Sequence, residues 1–157
     1  EGVDLDDRSL LYEKALEAVC KETLRFFPLA TRAVARTCVE DTSVEGLLIE
    51  KGTVIQVDTL SLHLNKDLWG DDAEQFNPDR WLDASRRVPA SSFISFGAGP
   101  RLCIGQRLAY VEEKVALAHL LRNFDIIADP EVTDLPLVGG PTTTPREVSI
   151  SIRQRVR

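Results

Sequence analysis

The stretch Phe96-Gly97-Ala98-Gly99-Pro100-Arg101-Leu102-Cys103-Ile104-Gly105 constrains this chain more than any other. Three glycines and a proline within ten residues prevent a strand or a helix from running through it. It reads as a tight loop that opens into a long helix, because Leu108, Val111, Val115, Ala118 and Leu121 recur at helical spacing between Ile104 and Asn123. Cys103 is then placed at the mouth of that helix. Unpaired N–H groups and partial positive charge gather there and favour thiolate, the form that binds metal. The glycines let the backbone turn sharply and let a flat ligand approach with no Cβ in the way. Such a loop presents one sulfur to something large and close.

Around this loop the hydrophobic periods sketch a mainly helical chain with small sheets. Asp6 or Asp7 can cap a helix running to about Phe26, with Leu11, Ala15, Leu16, Val19, Cys20 and Leu24 on one face. Pro28 stops it, since the residue before a proline is pushed out of the helical region. Ala33 to Cys38 reads as a strand, and Leu47 to Ile49 with Thr53 to Val57 as a hairpin about Glu50-Lys51-Gly52. Residues 65–92, with Gly70, Pro78 and Pro89, hold no sustained period and read as an irregular meander. Val148, Ile150 and Ile152 alternate with Ser149, Ser151 and Arg153 as in a half-exposed final strand. The class is α+β, without the strand-helix alternation of a doubly wound fold.

Composition narrows the function. The 157 residues are 43% hydrophobic and 28% charged, as in a soluble globular domain with a reasonable core. A net charge of −6 with no basic run argues against nucleic acid as a partner. Three Cys without C-x-x-C and two His give neither a zinc spacing nor a disulfide framework, and the thiols fit a reducing compartment. No stretch approaches the length of a membrane span, and Glu1 begins no signal peptide. Because Glu1 is not a start methionine, the chain reads as a piece. It contains no internal repeat. His63 and His119 read as surface or half-buried residues, and Cys20 and Cys38 as core thiols. A dinucleotide reading of Gly97-x-Gly99 fails for want of strand-helix-strand context. A phosphate-loop reading fails because Gln106 follows Gly105 where Lys is needed.

The loop fits F-x-x-G-x-R-x-C-x-G, and with Ala109 four residues on it resembles the haem-thiolate signature of the cytochrome P450 family. Glu22-Thr23-Leu24-Arg25 is similar to that family's E-x-x-R helix. Phe76-Asn77-Pro78-Asp79-Arg80-Trp81 is similar to its P-E-R-F segment, with Asp for Glu and Trp for the last Phe. The three motifs stand in the family's order, so the resemblance implies the C-terminal third of that fold, with residues 1–157 part of one incomplete domain.

The resemblance also implies a site. Cys103 would be the axial thiolate to the iron of haem b, although a lone Cys would otherwise read as a buried core residue. Backbone N–H groups just after it would hydrogen-bond the sulfur. Arg101 and Arg36 would meet the haem propionates, with Arg32 competing with Arg36 for the second place; a guanidinium suits a carboxylate and stays charged. Phe96 and Gly97 would cover the sulfur side, Ile104 would flank it, and small Gly105 and Ala109 would let the helix lie against the haem plane. Glu22, Arg25 and Arg80 would form a buried charge network that fixes the Cys loop and does no chemistry. The other reading of Glu22 and Arg25 is a simple surface pair. Ala30, Val34 and Thr143 would line the substrate pocket.

For the whole protein the resemblance implies a haem-dependent monooxygenase. It would insert one atom of dioxygen into a small apolar organic substrate and reduce the other to water. A flavoprotein reductase would donate the electrons. The endoplasmic reticulum membrane would be the location, with membrane contact confined to a region N-terminal to this stretch. No catalytic residue beyond the haem ligand is expected within the stretch itself. The contrasting expectation is a truncated remnant that binds haem poorly or not at all.

Overall fold

The computed structural model describes residues 14–31, 35–86, 88–129, 135–140 and 142–155. Helix α1 (Lys14–Phe26) leads into a set of short strands: β1 (Ala35–Thr37), β2 (Thr42–Val44), β3 (Leu47–Ile49) and β4 (Val54–Gln56). Two short helices follow, α2 (Thr59–His63) and α3 (Lys66–Trp69). The 18-residue helix α4 (Gln106–Asn123) precedes β5 (Phe124–Ile127), β6 (Leu137–Gly139), β7 (Thr143–Pro145) and β8 (Ser151–Gln154). The strands pair only in twos, all antiparallel: β1 with β4, β2 with β3, β5 with β8 and β6 with β7. Helices with small antiparallel sheets are the α+β arrangement that the hydrophobic periods suggest.

Several elements differ from the sequence reading. The proposed helix start at Asp6 or Asp7, and Leu11, lie outside the described residues. Leu47–Ile49 does not pair with the following strand. It folds back on Thr42–Val44 across Glu45-Gly46, whose φ angles of 48° and 86° match the twist of a two-residue hairpin turn. The Glu50-Lys51-Gly52 turn instead returns β4 to β1, fastened by Gly52 N–H on the Cys38 carbonyl at 2.8 Å. Only Ser151–Gln154 of the final alternating segment is a strand, and it pairs with β5. Cys38 is half-buried rather than core, with its thiol donating to the Glu40 carbonyl.

The buried face of α1 carries charge. Ala18, Cys20 and Leu24 are buried as the hydrophobic pattern requires, yet Glu22 and Arg25 are the most enclosed beside them, while Ala15 and Val19 face solvent. An apolar-only reading of the helix picked the wrong stripe because a paired carboxylate and guanidinium can be buried as well as leucine when every hydrogen bond is met. On α4 the stripe Leu108, Val111, Val115 and Leu121 is exposed, and contact with α1 runs through buried Lys114, 2.9 Å from Glu17.

The meander after β4 is built from side-chain caps. Asp58 accepts from Ser61 N–H to start α2, Asn65 from Asp67 N–H to start α3, and Asn77 from Asp79 N–H to start the 3₁₀ turn Pro78–Trp81. Its aromatic residues form the core: Trp81 meets Phe93 at 5.0 Å and Trp69 at 5.6 Å, in edge-to-face geometry. These contacts explain how a segment without a period can be ordered. Asp58, Asn65 and Asn77 each cap one turn, and the large rings supply the burial.

Candidate functional site

Glu22 of α1 is the anchor of the site's scaffold. Its carboxylate accepts from Arg25 Nε at 2.9 Å and Nη2 at 2.8 Å, from Arg80 Nε at 3.1 Å, from Trp81 Nε1 at 2.9 Å and from the Asn77 backbone N–H at 2.8 Å. The remaining donors of both guanidinium groups go mainly to backbone carbonyls. Arg25 donates to His63, Ala73 and Gln75, and Arg80 to Trp69, Asp72 and Gln75. The structure therefore brings Glu22, Arg25 and Arg80 together in a buried cluster, and the surface-pair reading of Glu22 and Arg25 does not hold. Burial would raise the Glu22 pKa, but Arg25, the Asn77 amide and the Trp81 indole outweigh it and hold the group below the usual carboxylate value.

Asp72 extends this cluster to the surface, a role the sequence reading missed. It bridges Arg80 at 3.2 Å and Arg86 at 2.9 Å and accepts from Asn77. Arg86, with Asn77 and Arg80, holds its carboxyl well below the ordinary range against the opposing effect of burial. A depressed folded-state pKa gives stability that is complete above the unfolded value and lost as pH falls through the folded one. Asp72→Asn is expected to flatten the acid limb of the stability curve below about pH 4. The loss at neutral pH should be about 1–2 kcal/mol after solvent screening. Chemical denaturation across pH measures it, and parallel acid limbs for variant and wild type would refute the assignment.

The Cys loop is tied to α1 on its upstream side and to itself across its mouth. Gly97 and Gly99 have φ of 81° and 65°, left-handed conformations that favour glycine. Cys103 N–H donates to the Phe96 carbonyl at 3.0 Å and closes the loop. Helix α4 begins only at Gln106, with Gly105 as its N-cap, so Cys103 sits in the turn before the helix rather than at its first residue. The reason is local: the Gly99–Arg101 3₁₀ turn and the Phe96–Cys103 closure use the backbone that a longer helix would need. Among the described residues no N–H group donates to the Cys103 sulfur. A Cβ on Gly105 would lie 3.8 Å from that sulfur, an ordinary van der Waals contact, which places this residue directly beside it.

A cleft of about 1370 Å³ opens in front of this loop. Its wall includes Phe96, Gly97, Arg101, Cys103 and Ala109 from the loop and α4, together with Arg36 of β1. Ala30 and Thr143 reach the same cleft, held side by side by Thr143 N–H on the Leu29 carbonyl at 2.6 Å and by the Thr31 and Thr143 hydroxyls at 3.4 Å. Ile104 is fully exposed, and neither it nor Gly105 belongs to the cleft wall. Val34 and the competing Arg32 lie outside the described residues. Arg36 and Arg101 have no carboxylate partner among the described residues, so both charges remain free for an anionic ligand. Phe96 packs on Tyr110 of α4 at 5.3 Å.

The three thiols differ sharply. Cys103 is exposed into the cleft, whereas Cys20 is buried, and burial together with Glu113 pushes its pKa up to about 12. Glu112, Glu113 and Asp58 also reach the cleft wall, which no motif signalled. His63 is another residue the sequence reading misplaced. It is fully buried, not a surface residue, and both ring nitrogens are engaged. No metal spacing marked it; its signal was only the pair of hydrogen-bonding nitrogens available to a residue within an apolar segment. Beside the Glu112, Glu113 and Asp58 carboxylates the cleft offers one thiol, two guanidinium groups with no carboxylate partner among the described residues, and largely apolar walls, groups that suit a metal taking a sulfur and an anionic ligand around it.

The family model described as "Cytochrome P450" matches residues 4–151. The Caenorhabditis elegans protein named "Putative cytochrome P450 cyp-13B1" is 44% identical over 157 residues, covering 99% of this chain and 30% of the relative. "Putative cytochrome P450 CYP13A10" of the same organism is 46% identical over 147 residues, covering 91% of this chain and 28% of the relative. The chain thus spans less than a third of the length of these curated relatives.

Proposed function

Since this chain belongs to the cytochrome P450 family, we propose that it is the C-terminal, sulfur-bearing part of a single-domain haem-dependent monooxygenase. The observation that carries the proposal is one cleft in which Cys103, two arginines without a carboxylate partner among the described residues, and a largely apolar wall face the same space. Cys103 would hold the iron of haem b through its thiolate. Arg36 and Arg101 hold the propionates, each as a permanently charged, planar donor set. Phe96, Gly97 and Ala109 line the cleft beside Cys103 and would hold the ring there, with Ile104 and small Gly105 at the turn next to the sulfur. Glu22, Arg25 and Arg80 hold the loop in place without touching the reacting atoms.

When bound, haem supplies the dioxygen chemistry: one oxygen atom goes into substrate and the other leaves as water, with two electrons and two protons consumed. This chain's residues bind, orient and shield. Ala30 and Thr143 line the substrate side, where Phe26, Phe27, Leu29 and Leu137 add apolar surface suited to a small apolar organic molecule. The electrons come from a flavoprotein reductase, and the full-length enzyme resides at the endoplasmic reticulum membrane. No helix among the described residues is long and apolar enough to cross a membrane.

The test is made on the full-length protein. Its dithionite-reduced carbon monoxide complex is expected to show the red-shifted Soret band of thiolate ligation. With a reductase, it should consume dioxygen and form oxygenated product in step. Absence of both, in a folded protein supplied with haem, would favour the remnant instead.

A further inference from the structure

The last turn of a helix leaves carbonyl groups that no N–H of the same helix can satisfy. At the end of α1 two of these are answered from far along the chain. The Leu24 carbonyl accepts from the Ser95 hydroxyl at 2.9 Å, and the Arg25 carbonyl lies 3.1 Å from His63 Nδ1. On the opposite edge of the ring, the Ile94 backbone N–H reaches His63 Nε2 at 3.0 Å. A backbone amide can only donate, so Nε2 is unprotonated and the ring is the neutral tautomer with its hydrogen on Nδ1. His63 donates to the helix and accepts from the segment that enters the Cys loop. From there the connection continues: the Ile94 carbonyl accepts from Gly97 N–H at 2.8 Å, and the Phe96 carbonyl accepts from Cys103 N–H at 3.0 Å.

We propose that His63 is a positioning residue for Cys103, a neutral strut that ties the end of α1 to Ile94 and thereby fixes the loop that presents the sulfur. The role of the sulfur rests on the haem-thiolate reading above; the strut itself rests on contacts within the chain. The ring has little freedom to do anything else. It is fully buried, stacked on Phe93 at 5.5 Å and met edge-on by Trp69 at 6.3 Å.

A proton on Nε2 would set one donor against another at Ile94 and bury a cation. The charged group facing the ring from α1 is Arg25, whose guanidinium donates to the His63 carbonyl at 2.7 Å and is backed by Glu22. Trp69 and Phe93, packed on it from α3 and from the segment before the loop, are uncharged. Burial lowers the His63 pKa from 6.5 to about 4, against the hydrogen bond to the Arg25 carbonyl, which raises it, and with a smaller push down from the Arg25 charge. The unfolded or released ring therefore takes up its proton at higher pH than the native one. The strut is complete above about pH 6.5 and weakens as pH falls towards about 4.

The test uses the full-length protein with haem, comparing wild type, His63→Gln and His63→Leu from about pH 8 to about pH 4. The reduced carbon monoxide band reports the sulfur, far-ultraviolet circular dichroism reports the fold, and amide exchange reports residues 94–103. The wild type should hold the thiolate band at neutral pH and lose it in acid. Gln can accept from Ile94 and cannot gain a proton, so its acid midpoint should fall by about one pH unit. Leu accepts nothing, so most of the band should be lost at neutral pH with helix content intact. Exchange over residues 94–103 should then rise about tenfold. A Leu variant with wild-type band and exchange, or a Gln variant with the wild-type acid midpoint, would overturn the proposal. If the Leu variant does not fold, the Gln midpoint decides. A wild type with no thiolate band would sink the Cys103 assignment, and the exchange comparison would still decide the strut.

Discussion

If the full-length protein is the proposed haem-thiolate monooxygenase, Cys103→His is expected to abolish the red-shifted Soret band of its reduced carbon monoxide complex and to cut turnover by more than about a hundredfold. Changing groups around a metal ligand already costs about 10- to 100-fold, and this substitution would change the class of the proposed ligand itself. A thiolate pushes electron density towards iron, which a neutral imidazole does not. The loop geometry makes Cys103 the thiol for this role: Cys20 is buried under α4, and Cys38 is on the β1 strand side, outside the cleft wall. Cys38→Ser should therefore leave the band where it is. An unchanged band in Cys103→His would remove the assignment, whatever the variant's residual activity.

The parts of this site that were legible in the sequence were those fixed by local chemistry. Gly97, Gly99 and Pro100 announce a loop because few other residues tolerate its backbone, and the Cys within it follows directly. The convergence of Glu22 with Arg80 was readable only through family resemblance, since 58 residues separate them and no local pattern spans that gap. Strand pairing was misread between residues 42 and 57 because the Glu45-Gly46 turn competes with the more obvious Glu50-Lys51-Gly52 turn. Glycine at the second turn position could have signalled the tighter hairpin. The stripe on α4 teaches a different lesson. Periodicity shows which face of a helix seeks cover, but not whether the cover lies in the same stretch of chain, and Leu108 and Val111 stay exposed here. Asp72 and His63 escaped because their roles depend on partners brought in by the meander, whose path has no period to read.

Glu22→Ala should destabilise the folded protein by about 3–5 kcal/mol, a large share of the roughly 5–15 kcal/mol that holds a typical domain together. The carboxylate accepts five hydrogen bonds, and two of its partners are buried guanidinium groups. The two arginines do not suffer equally. Arg80 keeps Asp72 as a second carboxylate at 3.2 Å, whereas Arg25 is left with backbone carbonyls alone. An unpaired buried cation is the principal loss, so removing that cation as well should help. Glu22→Gln combined with Arg25→Met is expected to recover part of the stability lost in Glu22→Gln alone, as replacing a whole buried pair costs less than breaking it. Denaturant midpoints for the single and double variants, read alongside haem retention, measure both effects. A Glu22→Ala loss below about 1 kcal/mol would be that of an exposed pair and would contradict the buried network. Equal stability of Glu22→Gln with and without Arg25→Met would mean that the stranded Arg25 charge is not what the mutation costs.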